Sequence, residues 1–264
     1  MKLNRLLTSS ALTLGLISSS LFAVSGSANA ATEAMTDAQK KSFEKVVHDY
    51  LVSNPEVLLE ASQALQQKQQ QAMQQQAQSA IKTNAADLFH DSLTTVGNAK
   101  GNVTLVEFFD YQCIHCKKMT TTLSDLLKKD SNLRIIYKEF PIFGKSSEFA
   151  SKAALAAATL GKYQAFHEAL LKQSKRLTDE LVIETAKSVG ISNDALKKAM
   201  DDKRVAQALE ANRTLAEKLH LMGTPAFIIA STPKGEFKKN TDPVFLPGVV
   251  REDALKELID KARS

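Results

Sequence analysis

The spacing of apolar residues changes along the chain and divides it into segments with different predicted structures. Residues 36–90 carry apolar side chains three or four positions apart, which predicts amphipathic helices. The run 103–109 is almost continuously apolar, as is typical of a central β-strand covered on both faces. Residues 146–220 return to helical spacing. We therefore expect a helical segment, then strands, then a second helical segment.

The first helical segment has a narrow apolar stripe. Its first helix contributes Phe43, Val46, Val47, Tyr50 and Leu51. Asn54 as an N-cap and Pro55 at the first helical position predict the start of a second, glutamine-rich helix. Packing rather than intrinsic propensity stabilises most helices, so a stripe this narrow is insufficient for a lone helix. Two interpretations stay open, a solvated spacer and a helix pair that buries its stripe against a second copy. The apolar surface of the first helix favours the second interpretation.

Strands and helices alternate around the run 103–109. Apolar residues at helical spacing follow Cys113, and Leu133–Glu139 alternates between apolar and polar side chains like a strand. A strand, a helix and a strand over this distance predict a parallel pair joined by a right-handed crossover.

Two further strands are predicted near the end of the chain, at 224–229 and 244–250, followed by an amphipathic helix. The fold class is therefore α/β, with the α/β domain over 91–264 and a helical insertion at about 146–220. An all-α arm over 31–90 is expected to precede this domain.

The first thirty residues have the features of a secretory signal peptide. Lys2 and Arg5 form a basic start, residues 6–24 are mainly apolar, and Ala28-Asn29-Ala30 gives a small-residue cleavage pattern. Ser, Thr and Gly interrupt the apolar run, which disfavours a membrane-anchoring helix. We expect cleavage after Ala30 and export to the periplasm, an oxidising compartment.

The charge balance argues against nucleic-acid binding. The full sequence has 34 basic and 29 acidic residues. The leader contains two basic residues and no acidic ones, so the exported chain has a net charge of 32 − 29 = +3. The basic residues are not clustered with aromatic residues, as a nucleic-acid interface requires.

Cys113 and Cys116 are the only cysteines in the chain. Two thiols at this spacing are a redox centre or half of a metal site. A metal site needs four ligands, or three and a water, and no second cysteine pair is present. The histidines outside the motif are scattered singly: His48, His90, His167 and His220. We therefore predict a redox pair with no metal and no cofactor.

The residues around the pair suggest a division of roles. Cys113 is expected at the start of a helix, where the helix dipole and an imidazolium at His115 lower the pKa of its thiol. Cys116, one turn into the helix, suits the resolving role. Glu107 is a carboxylate within an apolar strand, and burial would raise its pKa and let it exchange protons with Cys116. The alternative for Glu107 is a strand-end side chain that reaches solvent.

These features together resemble a known family. Phe108-Phe109, Cys113-Ile-His-Cys116, a helical insertion and Gly223-Thr-Pro-Ala-Phe227, in this order, resemble the DsbA-type thioredoxin-fold oxidoreductases. The segment 50–59 is similar to the arm of the Com1-like subgroup, where such an arm precedes the catalytic domain and mediates dimerisation. One departure is Ile114, which occupies a position where DsbA has proline.

The resemblance implies further roles and partners. Pro225 is expected to be a cis-proline facing the active site, and Thr224 and Phe227 to contact the substrate chain together with it. Substrates would be unfolded or misoxidised exported proteins, and a membrane protein of DsbB or DsbD type would reset the redox pair. Thr224 and the dimerising arm also resemble DsbC-type isomerases, so the balance between oxidase and isomerase stays open.

Two other function classes remain. The arm and cleft would serve a chaperone or a surface-associated binding protein in which the cysteines are incidental. Alternatively, Cys113 and Cys116 would bind copper or another metal stoichiometrically. Our expectation is a homodimeric thiol–disulfide oxidoreductase with an arm over residues 36–80.

Overall fold

The computed structural model describes residues 35–91 and 93–263, and the signal peptide expected over 1–30 lies outside them. The described residues up to Glu60 belong to one compact unit, and those from Ala61 onward belong to another. No helix in the described ranges is long and apolar enough to cross a membrane.

Helix α1 (Asp37–Ser53) confirms the first predicted helix and has no buried residue. Its N-terminus is closed by a capping box, in which Thr36 and Gln39 satisfy each other's backbone N–H groups. Asn54 was expected to cap the start of the second helix, and this is wrong. It is the C-cap of α1, where its side-chain amide donates to the carbonyl of Tyr50 at 2.9 Å.

Helix α2 (Glu56–Thr83) is continuous through the glutamine-rich stretch, and α3 (Ala85–Phe89) follows it. Ala77 and Ile81 of α2 are buried together with side chains of α3 in an apolar cluster that includes sheet residues. The start of the α/β domain was predicted at residue 91. The structure differs, because residues from Ala61 onward lie in the same unit as the sheet.

A five-stranded sheet of order β1-β3-β2-β4-β5 forms the centre of the second unit. Its strands are β1 Thr95–Gly97, β2 Val103–Phe109, β3 Leu133–Glu139, β4 Ala226–Ser231 and β5 Val244–Pro247. β2 and β3 are parallel, which confirms the predicted strand–helix–strand unit, and the other pairings are antiparallel. β1 was not predicted, because its three residues lie in a stretch whose composition is typical of a turn-rich link.

Helices cover both faces of the sheet. After β2, the helices are α4 Ile114–Lys129, α5 Lys145–Thr159, α6 Tyr163–Leu171, α7 Asp179–Ser188, α8 Asn193–Met200, α9 Lys203–Lys218 and α10 Glu252–Arg263. One apolar cluster joins one side of the strands to α4, α10 and the helices of the insertion. The other cluster joins the opposite side to α2, α3 and the end of α9. The sheet is therefore a central layer, and α4 starts at the end of its middle strand.

β3 is buried along its whole length, whereas its sequence alternates as if one face met solvent. The polar residues of this strand are held by internal partners. Lys138 pairs with Asp91 at 2.8 Å, and Arg134 donates to the hydroxyl of Thr104 at 2.8 Å. Glu139 accepts hydrogen bonds from two tyrosine hydroxyls. These partners come from distant parts of the sequence, which is why the alternation did not reveal the burial.

Candidate active site

Cys113 is the N-cap residue of α4, as the sequence predicted. Its sulfur accepts a hydrogen bond from the backbone N–H of Cys116 at 3.4 Å. Both side chains are nearly buried, with 3% of Cys113 and 1% of Cys116 exposed. The two thiols are free and adjacent at the first turn of the helix. Backbone N–H groups therefore face the Cys113 sulfur, which favours its anionic form.

Asp110 holds the loop between β2 and Cys113 in place, although the sequence analysis assigned no role to this residue. Its carboxylate accepts hydrogen bonds from the backbone of Gln112, Ile142 and Phe143 and from the hydroxyl of Ser147, at 2.7 to 3.0 Å. The side chain is fully buried. An acidic residue directly after a buried strand was the available signal. The loop that delivers Cys113 is thus tied to the segment after β3.

The pKa of Cys113 is lowered from its ordinary value of 9.0 to about 5. The largest cause is a hydrogen bond from the Cys116 side chain, and the backbone N–H groups of Cys116 and His115 add to it. Burial acts in the opposite direction. The sequence predicted that the His115 ring lowers the pKa of Cys113, whereas in the structure the backbone N–H of His115 does so. The side chain of His115 is exposed.

Cys116 has a raised pKa. Its hydrogen bond to the Cys113 sulfur is the largest cause, followed by burial and by the electrostatic effect of the nearby Glu107 carboxyl. The pair is therefore asymmetric. Cys113 is stable as a thiolate near neutral pH, whereas Cys116 holds its proton. This asymmetry suits a nucleophile and a buried resolving thiol.

The peptide bond between Thr224 and Pro225 is cis, which confirms the expectation for Pro225. The Cys113 sulfur lies 3.3 Å from the carbonyl oxygen of Thr224, so this loop lies against the reactive sulfur. Phe227 was expected to contact substrate, and the structure corrects this. Its side chain is fully buried in the apolar core, and its backbone pairs with Glu107 across β4 and β2.

Glu107 lies inside β2 and is only 2% exposed, so the solvent-reaching alternative is wrong. Burial is the largest cause that raises the pKa of its carboxyl well above 4.5, and the charges of Cys113 and Glu139 add to it. Glu107 in turn raises the pKa of Cys116. The carboxyl and the two thiols therefore form one electrostatically coupled group.

A second buried acid, Glu139, was missed by the sequence analysis. It accepts hydrogen bonds from the hydroxyls of Tyr111 and Tyr163, each at 2.9 Å, and Tyr111 also contacts the ring of His167 at 3.1 Å. Burial raises the pKa of Glu139 to about 8 despite these donors. Burial also lowers the pKa of His167 to about 3, so this ring is neutral.

The described residues contain no group of three or more His, Cys, Asp or Glu side chains arranged to hold a metal ion. Near the cysteine pair, Glu107 is the acidic side chain that couples to both sulfurs. The available donors therefore do not make up a four-ligand set of the kind that holds zinc.

Comparison with known proteins identifies the family. The model described as DSBA-like thioredoxin domain matches residues 104–260. The chain belongs to this family. The match covers the DsbA-type domain from β2 to α10, including the helical insertion, and the enzyme class is oxidoreductase. A second model, described as Copper resistance protein ScsC N-terminal domain, matches residues 39–72, which cover most of α1 and part of α2.

Solved structures and a curated relative agree with the DsbA-type assignment. A thioredoxin-like oxidoreductase from Silicibacter pomeroyi is 36% identical with a TM-score of 0.61, covering 68% of this chain and 98% of its own. BcfH of Salmonella enterica Typhimurium is 31% identical with a TM-score of 0.72, covering 86% of this chain and 97% of its own. A Rickettsia typhi protein named as a putative protein-disulfide oxidoreductase is 28% identical over 161 residues. These residues are 57% of this chain and 59% of that protein, so the match spans less than two thirds of the relative's length.

Proposed function

We propose that this protein is a periplasmic thiol–disulfide oxidoreductase that introduces disulfides into exported proteins and also isomerises them. The observation that carries the proposal is the asymmetry of the cysteine pair. The pKa of Cys113 is lowered to about 5, and that of the buried Cys116 is raised. A sulfur with a low pKa is a good leaving group, so a mixed disulfide at Cys113 is reactive toward a second thiol.

The oxidase reaction begins with the Cys113–Cys116 disulfide. A client thiolate attacks the Cys113 sulfur, a client–Cys113 bond forms, and Cys116 leaves and takes up a proton. Glu107, the buried carboxyl that is electrostatically coupled to Cys116, is the proposed donor of that proton. A second client thiolate then attacks the client sulfur and displaces Cys113 as a thiolate. Two electrons pass from the client to the enzyme, and the client gains a disulfide.

The isomerase reaction begins with the reduced pair. The Cys113 thiolate attacks a wrongly formed client disulfide, and one client sulfur leaves as a thiolate. That thiolate attacks another disulfide of the client, and the final exchange releases Cys113 unchanged. Thr224, whose carbonyl oxygen lies against the Cys113 sulfur, and the cis-proline Pro225 after it are the proposed contacts for the client backbone.

The proposed active form is a homodimer joined through residues 36–80. Support comes from the exposed apolar side chains of α1, which has no buried residue.

The periplasmic location is supported by the signal peptide expected to be cleaved after Ala30. A periplasmic thioredoxin-like protein from Salmonella enterica serovar Typhimurium, 26% identical with a TM-score of 0.58, agrees with this location. It covers 68% of this chain and 95% of its own. A membrane partner of DsbB or DsbD type would restore the redox state that each reaction requires.

Refolding of a reduced and of a scrambled ribonuclease tests this function. We expect the wild type to regain ribonuclease activity from both starting states. A Cys113→Ser variant should lose both activities, because no mixed disulfide can form. If this variant keeps them, the cysteines are incidental and the chaperone alternative is favoured. Elemental analysis of the purified protein tests the copper alternative, which requires stoichiometric metal.

A further inference from the structure

Tyr111 lies in the turn between β2 and Cys113, and its side chain is fully buried. The turn is closed by a hydrogen bond from the backbone N–H of Cys113 to the carbonyl oxygen of Asp110 at 3.1 Å. Four residues joined in this way form a β-turn, with Tyr111 and Gln112 at its two central positions. A displacement of Tyr111 therefore moves the residue that carries the nucleophilic sulfur.

The neighbours of Tyr111 in this turn are attached to the segment that follows β3. Asp110 accepts a hydrogen bond from the hydroxyl of Ser147 at 2.7 Å. The side-chain amide of Gln112 donates to the same hydroxyl at 3.0 Å and to the carbonyl oxygen of Phe143 at 3.3 Å. These contacts hold the turn from one direction.

The hydroxyl of Tyr111 makes a second attachment, to β3 and α6. It donates to Oε1 of Glu139 at 2.9 Å, and it lies 3.1 Å from Nδ1 of His167. Because its single proton is used on Glu139, Nδ1 of the neutral His167 ring carries a proton and donates to the tyrosine oxygen. The three side chains are at most 1% exposed. Water cannot readily replace these bonds, so loss of the hydroxyl leaves buried polar groups unpaired.

We propose that Tyr111 is a positioning residue for Cys113, and that its hydroxyl, bonded to Glu139 and His167, holds the sulfur where the start of α4 stabilises the thiolate. The inference rests on the proposed function, in which that thiolate is nucleophile and leaving group. It adds that the helical insertion, through His167 of α6, takes part in setting the reactivity of the cysteine pair.

This attachment matters most in the reduced protein. There the Cys113 sulfur is held by hydrogen bonds, such as the one from the backbone N–H of Cys116 at 3.4 Å. Hydrogen bonds weaken as their geometry is disturbed, so a shift of the turn weakens the stabilisation of the thiolate. In the oxidised protein the Cys113–Cys116 bond itself fixes the sulfur. Loss of the attachment should thus destabilise the reduced form selectively and make the disulfide a weaker oxidant.

The test compares two tyrosine variants of the full-length mature protein. Tyr111→Phe removes the hydroxyl and keeps the ring, which packs edge to face against Phe109. Tyr163→Phe is the matched control, because Tyr163 is also buried and also donates to Oε1 of Glu139 at 2.9 Å, but lies on α6. Each variant removes one donor from the same carboxyl oxygen, and only Tyr111→Phe detaches the turn.

Two quantities are measured for each protein. One is the titration midpoint of the Cys113 thiolate, from its ultraviolet absorbance. The other is the equilibrium with glutathione, in which two glutathione thiols reduce the Cys113–Cys116 disulfide and form one glutathione disulfide. We expect Tyr111→Phe to raise the midpoint by about one pH unit and to lower the equilibrium constant for reduction about tenfold, as for the loss of one hydrogen bond. Tyr163→Phe should keep the wild-type values of both.

Urea unfolding separates positioning from stability, since both tyrosine variants should be destabilised to a similar extent. Glu139→Gln is a further variant that keeps an acceptor oxygen for the Tyr111 hydroxyl, and it should keep the wild-type midpoint.

Three outcomes would overturn the positioning role. They are wild-type values in Tyr111→Phe, equal shifts in the two tyrosine variants, and a raised midpoint in Glu139→Gln. Failure of the proposed function looks different, because glutathione would then not reduce the wild-type disulfide at all.

Discussion

At the scale of single residues, the two thiols differ because each determines the state of the other. The Cys116 side chain donates to the Cys113 sulfur, and this single contact is the largest cause of both pKa shifts. The helix start adds backbone N–H donors on the Cys113 side only. The contacts at the start of α4 therefore make Cys113 the nucleophile and leave the proton on Cys116.

Replacing Cys116 tests this mutual effect. In Cys116→Ala the donor to the Cys113 sulfur is lost, so the pKa of Cys113 should rise above its wild-type value of about 5. Cys116→Ser keeps a hydroxyl donor and should hold the pKa low. The measurement is the ultraviolet absorbance of the thiolate as a function of pH. Equal titration midpoints in the two variants would show that the side-chain hydrogen bond is not the main cause.

The proposed role of Glu107 can be tested separately from that of Cys113. Glu107→Gln keeps the shape of the side chain and removes its exchangeable proton. We expect attack of Cys116 on a glutathione–Cys113 mixed disulfide to slow by about 100-fold, in the range usual for proton-transfer groups. The release of glutathione measures this step. Alkylation of Cys113 is the internal control, and equal slowing of both reactions would contradict a proton-transfer role.

Residue-level features differed in how far the sequence could predict them. Cys113 was placed correctly, because the helical spacing that follows it defines a helix start. The environment of other residues depends on tertiary packing, which the local pattern does not contain. Phe227 was assigned to substrate contact although β4 buries it. Glu139 was missed because its partners, Tyr111 and Tyr163, lie 28 and 24 residues away in the chain.

At the scale of secondary-structure elements, α1 carries apolar side chains that are exposed in the part of the chain that the structure describes. Phe43, Val46 and Tyr50 are between 55% and 62% exposed on this helix. Burial of an aromatic or β-branched side chain contributes about 1.5 to 3 kcal/mol. A contact between two such stripes would therefore stabilise a helix pair.

Charge on this stripe should therefore disrupt self-association. A Phe43→Glu/Tyr50→Glu variant places two buried charges in each copy of the interface, and we expect it to be monomeric at micromolar concentration. Lys41→Glu, on the opposite side of α1, is the control and should leave the assembly intact. Light scattering after size-exclusion chromatography gives the mass. A wild type that is itself monomeric would support the solvated-spacer interpretation, and a trimer would correct the proposed dimer.

The order of elements was predictable, whereas the boundaries between them depended on tertiary contacts. The parallel pair β2–β3 follows from two strand patterns around one helix pattern. The start of the second unit was not visible, because helical spacing continues through α2 on both sides of Glu60. The second half of α2 differs from the first half in the burial of Ala77 and Ile81, which only the structure shows. Asparagine commonly caps helices, but the sequence around Asn54 does not show whether it caps the helix before it or the helix after it.

At the scale of the whole molecule, the redox state of the pair is linked to folding stability. In the reduced protein the folded state lowers the pKa of Cys113 from 9.0 to about 5, so folding favours the thiolate. The oxidised protein has no thiolate to stabilise. A reduced form that is more stable than the oxidised form makes the disulfide a stronger oxidant, because reduction of the disulfide then releases free energy.

The pH dependence of this linkage gives the last prediction. For an acid whose pKa is lowered by folding, the stabilisation is complete above the unfolded pKa and is lost as the pH falls through the folded pKa. The extra stability of the reduced form should thus be largest above pH 9 and absent below pH 5. At pH 7 we expect about 1 to 2 kcal/mol after solvent screening. Urea unfolding of both redox forms at each pH measures the difference, and Cys113→Ala, which forms neither the thiolate nor the disulfide, is the reference. A stability difference between the redox forms that stays constant from pH 4 to pH 9 would contradict the coupling through Cys113.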